Sequence, residues 1–244
     1  NFHAPPGEPR TLHDLRRKTI EGVVGEWPDW QWQWYRWSYY RMIEMVDAEI
    51  GRILAALDQS PHARDTLVVL TSDHGEGLGE HRFARKNYTY EAALKVPLVY
   101  YWPRQIKGGR TDRTHLVSGV DMMPTLCHYA GIAPPHDLTG DSLHPLLEDV
   151  QSSWRDKLGV QLTAGVKARV FLSGKFKYVV FLNDPVEQLF DLDTDPGETV
   201  NLAIDPRYES ILRQLRSEHA TWEANLRRHA NNDGWPIEQQ TKNA

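Results

Sequence analysis

The feature that most constrains this chain is a six-residue run, Thr66-Leu67-Val68-Val69-Leu70-Thr71, that breaks abruptly into Ser72-Asp73-His74-Gly75. Branched apolar residues without polar alternation predict a strand buried on both faces, as in an α/β sheet covered by helices. A carboxylate and an imidazole at the carboxyl end of such a strand stand where open α/β sheets place their ligands. Before the run, Met42, Val46, Ile50, Ile53 and Leu57 recur at helical spacing and form one apolar face, ended by Ser60-Pro61. Residues 96–102 predict a second buried strand, with Pro97 near its start. Val120-Asp121 then opens a short helix, with Asp121 as N-cap, Pro124 in the first turn and Gly131 as its end.

Beyond about residue 155 the texture changes. Runs at 158–164, 167–172, 176–182 and 187–192 are joined by Gly165, Ser173-Gly174 and Asn183-Asp184-Pro185. Connections this short predict antiparallel hairpins. Asp205-Pro206 begins a last helix whose apolar face is Tyr208, Ile211, Leu212, Leu215, Trp222 and Leu226. Residues 231–244 read as a polar, frayed tail.

Composition excludes several classes. With 40% hydrophobic and 25% charged residues, the 244-residue chain is neither disordered, collagen-like nor a coiled coil. A net charge of −5 offers no basic field for nucleic acid or a membrane surface. No apolar run reaches the ~18 residues of a membrane span. The lone Cys127 rules out an intrachain disulfide framework and leaves the compartment open. The start at Asn1, with neither methionine nor signal-peptide pattern, reads as the interior of something longer.

Residues 1–37 carry Pro5, Pro6, Pro9 and Pro28 among Trp27, Trp30, Trp32, Trp34 and Trp37, without a clean period. They read as an irregular segment. Aromatic packing under a long connection is the plainer account of the tryptophans, and a sugar-stacking platform the sharper one.

The chemistry concentrates in residues 71–91. Asp73 and His74 offer an oxygen and a nitrogen donor to a hard divalent cation, and Lys86 offers a compact positive charge to a tetrahedral anion. Taken alone, Asp-His-Gly reads equally as a strand-end turn, and Glu80 and His81 as solvated loop residues.

The combination resembles the sulfatases of the alkaline phosphatase superfamily. The resemblance rests on Thr71-Ser72-Asp73-His74-Gly75-Glu76, Leu78-Gly79-Glu80-His81, Lys86, Tyr90-Glu91 and Val96-Pro97-Leu98. It extends to the helix through Tyr40–Leu54, to Val120-Asp121-Met122-Met123-Pro124, to Gln188-Leu189-Phe190-Asp191-Leu192, and to Asp195-Pro196-Gly197-Glu198 with Asn201-Leu202-Ala203. By resemblance the fold is α/β, with part of a large mixed sheet flanked by helices in residues 1–155. A small antiparallel four-stranded sheet with one packed C-terminal helix follows in 156–230.

The resemblance also implies that Asp73 and His74 are ligands of a divalent cation, usually calcium. It implies that Lys86 holds the substrate's sulfate and that His81 lies in the same loop and faces the pocket. The family's nucleophile is a formylglycine made from Cys-x-Pro-x-Arg or Ser-x-Pro-x-Arg, and neither pattern occurs here. The expectation is therefore a C-terminal portion of a sulfatase, inactive alone and needing its N-terminal half covalently or as a partner. The intact enzyme is expected to hydrolyse a sulfate ester of a small molecule or carbohydrate, through in-line attack of the aldehyde hydrate on sulfur. Phosphate or phosphonate ester hydrolysis on the same scaffold, and a non-catalytic pseudoenzyme module, remain the alternatives. The residues leave oligomeric state and compartment undetermined.

Overall fold

A computed structural model describes residues 4–18, 27–136, 138–150 and 153–226. The polar tail expected at 231–244 lies outside them. The described residues group into two units. One gathers those within Asn1–Glu26, Glu76–Leu94 and Lys157–Ala244, the other those within Trp27–Gly75 and Lys95–Asp156.

The first unit is built on a four-stranded antiparallel meander, β3 (Lys157–Leu162), β4 (Ala168–Ser173), β5 (Phe176–Phe181) and β6 (Asp184–Asp191), paired in sequence order. The hairpins expected from the short turns are present, with Val170 opposite Val179 and Tyr178 opposite Leu189. β6 starts at Asp184, earlier than the turn residues suggested. It is an edge strand, the place in a sheet where a proline such as Pro185 is tolerated.

Helix α6 (Glu209–Asn225) covers one face of this sheet. Leu212 and Leu215 pack with Phe171, Tyr178 and Leu189 into a buried cluster. The Trp222 indole presses so closely on Gly159 that a Cβ there would sit 1.9 Å from the ring. Asp205 caps the approach to α6 through the Arg207 amide at 3.0 Å, and a short 3-10 turn at Pro206–Tyr208 precedes the helix itself. The same unit holds α1 (Arg10–Arg16), whose Thr11 amide donates to Asp184 at 2.9 Å, and the one-turn helix α3 (Glu91–Leu94).

In the second unit, helix α2 (Asp29–Asp58) extends well ahead of Met42. This corrects the expectation of an irregular segment through residue 37, as does α1. Pro9 and Pro28, at φ −59° and −66° with extended ψ, stand immediately before the two helices and set their starts. The period was hidden because apolar aromatics occupy several faces at once. Trp30, Trp34 and Trp37 are exposed along one side, whereas Trp32 is buried and packs edge-on against Trp27, with ring centroids 5.1 Å apart.

Strands β1 (Val68–Thr71) and β2 (Leu98–Tyr101) form a two-stranded antiparallel pair, Leu70 opposite Val99. The expectation that both are buried on two faces is not met, since Leu70, Val99 and Tyr101 are exposed. The apolar face of α2 is exposed as well, at Met42, Val46 and Ile53. Hydrophobicity reports what a surface would bury, and no described residue covers these faces. Helix α4 (Met122–Ala130) ends in left-handed Gly131, as expected. Its approach is capped differently: Ser118 is the capping residue of the 3-10 turn before it. Asp121 is fully buried, accepts from the Ser118 amide and is gripped by Arg155 at 2.7 Å. Helix α5 (His144–Leu147) completes this unit. Among the described residues no helix is long and apolar enough to cross a membrane.

Candidate functional site

β1 delivers Ser72-Asp73-His74-Gly75 at its carboxyl end, where the backbone bends. The Asp73 Oδ1 accepts the His74 amide at 3.0 Å, and Ser72 Oγ donates to the His74 carbonyl at 2.9 Å. The His74 Nδ1 lies 2.8 Å from the Gly75 carbonyl oxygen, which places the ring proton on Nδ1. Nε2 then faces Asp73 Oδ2 at 3.3 Å.

Oδ2 and Nε2 are both electron-pair donors of the kind a hard or borderline cation takes. Two donors each about 2.3–2.4 Å from a hard cation, at right angles, stand about 3.3 Å apart. The pair therefore fits two positions in such a shell. Calcium takes about 6–8 oxygen ligands, and among the described residues no group of three or more His, Cys, Asp or Glu could hold a metal ion. By themselves Asp73 and His74 could fill only part of such a shell.

Asp73 and His74 fall in the second unit, and His81 and Lys86 share a loop of the first. That loop is unusual in its backbone. Leu78, His81, Arg82, Arg85 and Asn87 all adopt left-handed φ, between 48° and 75°. Such conformations persist in non-glycine residues only where the surroundings over-determine them, and they cluster at functional sites. The surroundings here are explicit. Gly77 N donates to Arg85 O and Gly79 N to Phe83 O, both at 2.9 Å, and the Arg85 amide reaches the Glu76 carboxylate. A Cβ at Gly77 would lie 2.3 Å from the Phe83 oxygen and 2.4 Å from the Tyr88 hydroxyl, so the loop closes only over glycine. Lys86 is exposed and stands between left-handed Arg85 and Asn87.

His81 is not a solvated loop residue. It is 7% exposed and lies flat on Tyr90, centroids 3.7 Å apart and planes 3° from parallel. Its Nε2 lies 2.9 Å from the Gly197 carbonyl oxygen, and its own carbonyl accepts Arg16 Nε at 2.9 Å. Burial lowers its pKa to about 4, against the opposing pull of the Gly197 bond and of Glu8, so the ring is neutral at pH 7. The expectation of a solvated loop failed because the partners come from far along the chain.

Two further groups escaped the sequence reading. Glu8, its side chain fully buried, accepts two bonds from Arg16, at 2.9 and 2.7 Å, and one from the Tyr90 hydroxyl at 3.0 Å. Lys177, fully buried on β5, stands 2.8 Å from Glu91 and 2.7 Å from Glu198. Burial pushes the Glu198 pKa up, partly offset by Lys177. Only the Tyr90-Glu91 and Asp195–Glu198 motifs hinted at this network. Asn201 of the same region accepts from the Leu189 amide and donates to the Gly7 and Glu187 carbonyls.

Residues 79–225 match the family described as N-sulphoglucosamine sulphohydrolase, C-terminal, and residues 16–132 match the Sulfatase family. The chain belongs to the sulfatase family. This sulfatase chain is 33% identical over 206 residues to a Delta 4,5-hexuronate-2-O-sulfatase of Bacteroides thetaiotaomicron, covering 80% of the chain and 42% of that protein. To an arylsulfatase of Clostridium perfringens it is 33% identical over 182 residues, 73% of the chain and 38% of that protein. Among solved structures, the phosphonate monoester hydrolase of Agrobacterium radiobacter aligns with TM-score 0.73 and 31% identity, covering 82% of the chain and 43% of that protein. The sulfatase chain thus spans less than half the length of the curated relatives it matches. The α/β class, with a four-stranded antiparallel sheet and a C-terminal helix, stands as expected.

Proposed function

We propose that this chain carries part of the cation and sulfate site of a sulfuric ester hydrolase whose substrate is a sulfated sugar. The observation that carries the reading is the Asp73–His74 pair at the end of β1, its Oδ2 and Nε2 spaced for one cation, in a member of the sulfatase family. Asp73 and His74 hold a divalent cation, calcium in this reading, and Lys86 offsets charge on the sulfuryl group. When bound, the cation draws charge from the non-bridging oxygens of the ester. The nucleophile, a formylglycine, comes from outside these 244 residues, which contain neither Cys-x-Pro-x-Arg nor Ser-x-Pro-x-Arg. The sugar follows the hexuronate named in one relative.

The exposed apolar faces of α2, β1 and β2 support the same reading. Exposed apolar surface of this kind marks an interaction site, and in this reading the remainder of the sulfatase domain covers it. In isolation the chain is inactive, because its two donors do not complete a cation shell.

A second reading, phosphonate ester hydrolysis, is favoured by the alignment with the phosphonate monoester hydrolase. Side-by-side assay of the complete, calcium-loaded protein on an aryl sulfate and an aryl phosphonate ester separates the two. A higher kcat/KM for the sulfate supports the first reading, and the reverse order replaces it with the second. Absence of both activities together with no calorimetric divalent-cation binding leaves a pseudoenzyme module.

A further inference from the structure

We infer that His81 is a positioning residue, the keystone that holds the Lys86 loop in shape by joining it to α1 and to the loop at 195–198. The inference rests on the reading above in one respect, that Lys86 meets the anionic group of the substrate. Three contacts made by the one residue carry it. The ring lies on Tyr90, Nε2 donates to the Gly197 carbonyl, and the backbone carbonyl accepts Arg16 Nε. Each partner is itself held. Tyr90 and Arg16 both converge on Glu8, and the segment containing Gly197 is tied down by Glu198 through the Glu91 amide and Lys177.

The residue sits at φ 48°, ψ 23°, the left-handed turn from which the chain runs through Phe83 and Arg85 back to Gly79 and Gly77. The three contacts offset the cost of that conformation in a residue with a bulky side chain. The charged groups acting on the ring are Glu8, Arg16 and Asp195, and burial dominates them all. An imidazole so enclosed holds its proton on Nε2 for Gly197. Its effect on the reaction passes through the position of Lys86, and misplacement by about 1 Å costs on the order of 10²-fold in rate.

The experiment compares His81→Ala with His81→Gln in the complete, calcium-loaded protein. Glutamine retains an N–H that reaches the Gly197 oxygen and has no titrating ring. We expect His81→Ala to lower kcat about 10- to 10²-fold with a smaller change in KM, and His81→Gln to stay within about fivefold of the parent. The pH–rate profile keeps its limbs in His81→Gln, and His81→Ala adds little further loss in a Lys86→Ala background. Amide exchange gives the readout that needs no turnover: residues 76–90 lose protection in His81→Ala and keep it in His81→Gln, with β3–β6 unchanged in both.

If His81→Gln fails to rescue, or unaltered exchange in the loop accompanies His81→Ala, the keystone assignment is overturned. A parent protein without ester hydrolysis but with the expected exchange pattern sinks the functional reading and leaves the keystone standing. Should His81→Ala not fold, Arg16→Lys replaces it. That variant keeps a cation beside Glu8 and removes the Nε donor to the His81 carbonyl, so the same loss of loop protection is expected and its absence counts against the keystone.

Discussion

The backbone amide of Glu91 donates to the carboxylate of Glu198 at 2.6 Å, joining two segments 107 residues apart. Lys177 lies against both side chains, so two sequence motifs with no evident relation are halves of one buried ion cluster. The cluster fastens the loop at 195–198 to the segment that follows Lys86.

Removing the cation of that cluster strands two carboxylates, one of them almost wholly buried. Lys177→Ala is expected to destabilise the protein by about 3–5 kcal/mol, whereas Lys177→Met with Glu198→Gln recovers part of the loss. Urea unfolding followed by circular dichroism measures both. A loss under 1 kcal/mol for Lys177→Ala contradicts the cluster.

Lys86 is exposed, and its substitution should spare the fold. Lys86→Ala in the complete protein is expected to change stability by no more than about 0.5 kcal/mol and to reduce turnover about 10²-fold. Steady-state kinetics beside a thermal melt checks this. Near-parental turnover removes Lys86 from the site.

The cation reading is tested at Asp73, whose side chain is 82% exposed and so contributes little packing. Asp73→Asn removes a charged donor. Calcium affinity of the complete protein, measured by titration calorimetry, should fall at least tenfold while the melting temperature without calcium stays constant. An unchanged affinity excludes Asp73 as a ligand.

Acid should weaken the first unit by a defined route. Burial lowers the pKa of His81 and of His219 to about 4 from 6.5, so the unfolded chain binds protons that the folded chain refuses between those values. The stabilisation is fully present above pH 6.5 and disappears as pH falls toward 4, on the order of 3 kcal/mol per histidine. Urea midpoints at pH 7 and pH 5 read the slope, and His219→Gln should flatten it. A slope indifferent to that substitution assigns the acid response elsewhere.

Gly77 has no room for a side chain. Gly77→Ala is expected to cost about 1–3 kcal/mol or to open the loop, because a Cβ would overlap the Phe83 carbonyl and the Tyr88 hydroxyl. Amide exchange across residues 76–90 distinguishes the two results, and a variant identical to its parent in both stability and exchange rejects the close contact.

What the sequence determined by itself is what lies close along the chain. Short turns dictated the meander β3–β6, because connections of two to five residues favour hairpins over crossovers. Helical spacing located α6 and the second half of α2, and a carboxylate next to an imidazole at the end of β1 already contained the pair whose Oδ2 and Nε2 stand 3.3 Å apart. Tertiary structure alone decided which of these residues are covered and by what. It left the apolar faces of α2, β1 and β2 exposed among the described residues, and it buried His81, Glu8, Arg16 and Lys177 in a network no local pattern announces. The reason is physical. Periodicity records a residue's neighbours within a turn or a pleat, whereas burial and ion pairing depend on segments as distant as the 65 residues separating Arg16 from the His81 carbonyl, brought together only when the whole chain packs.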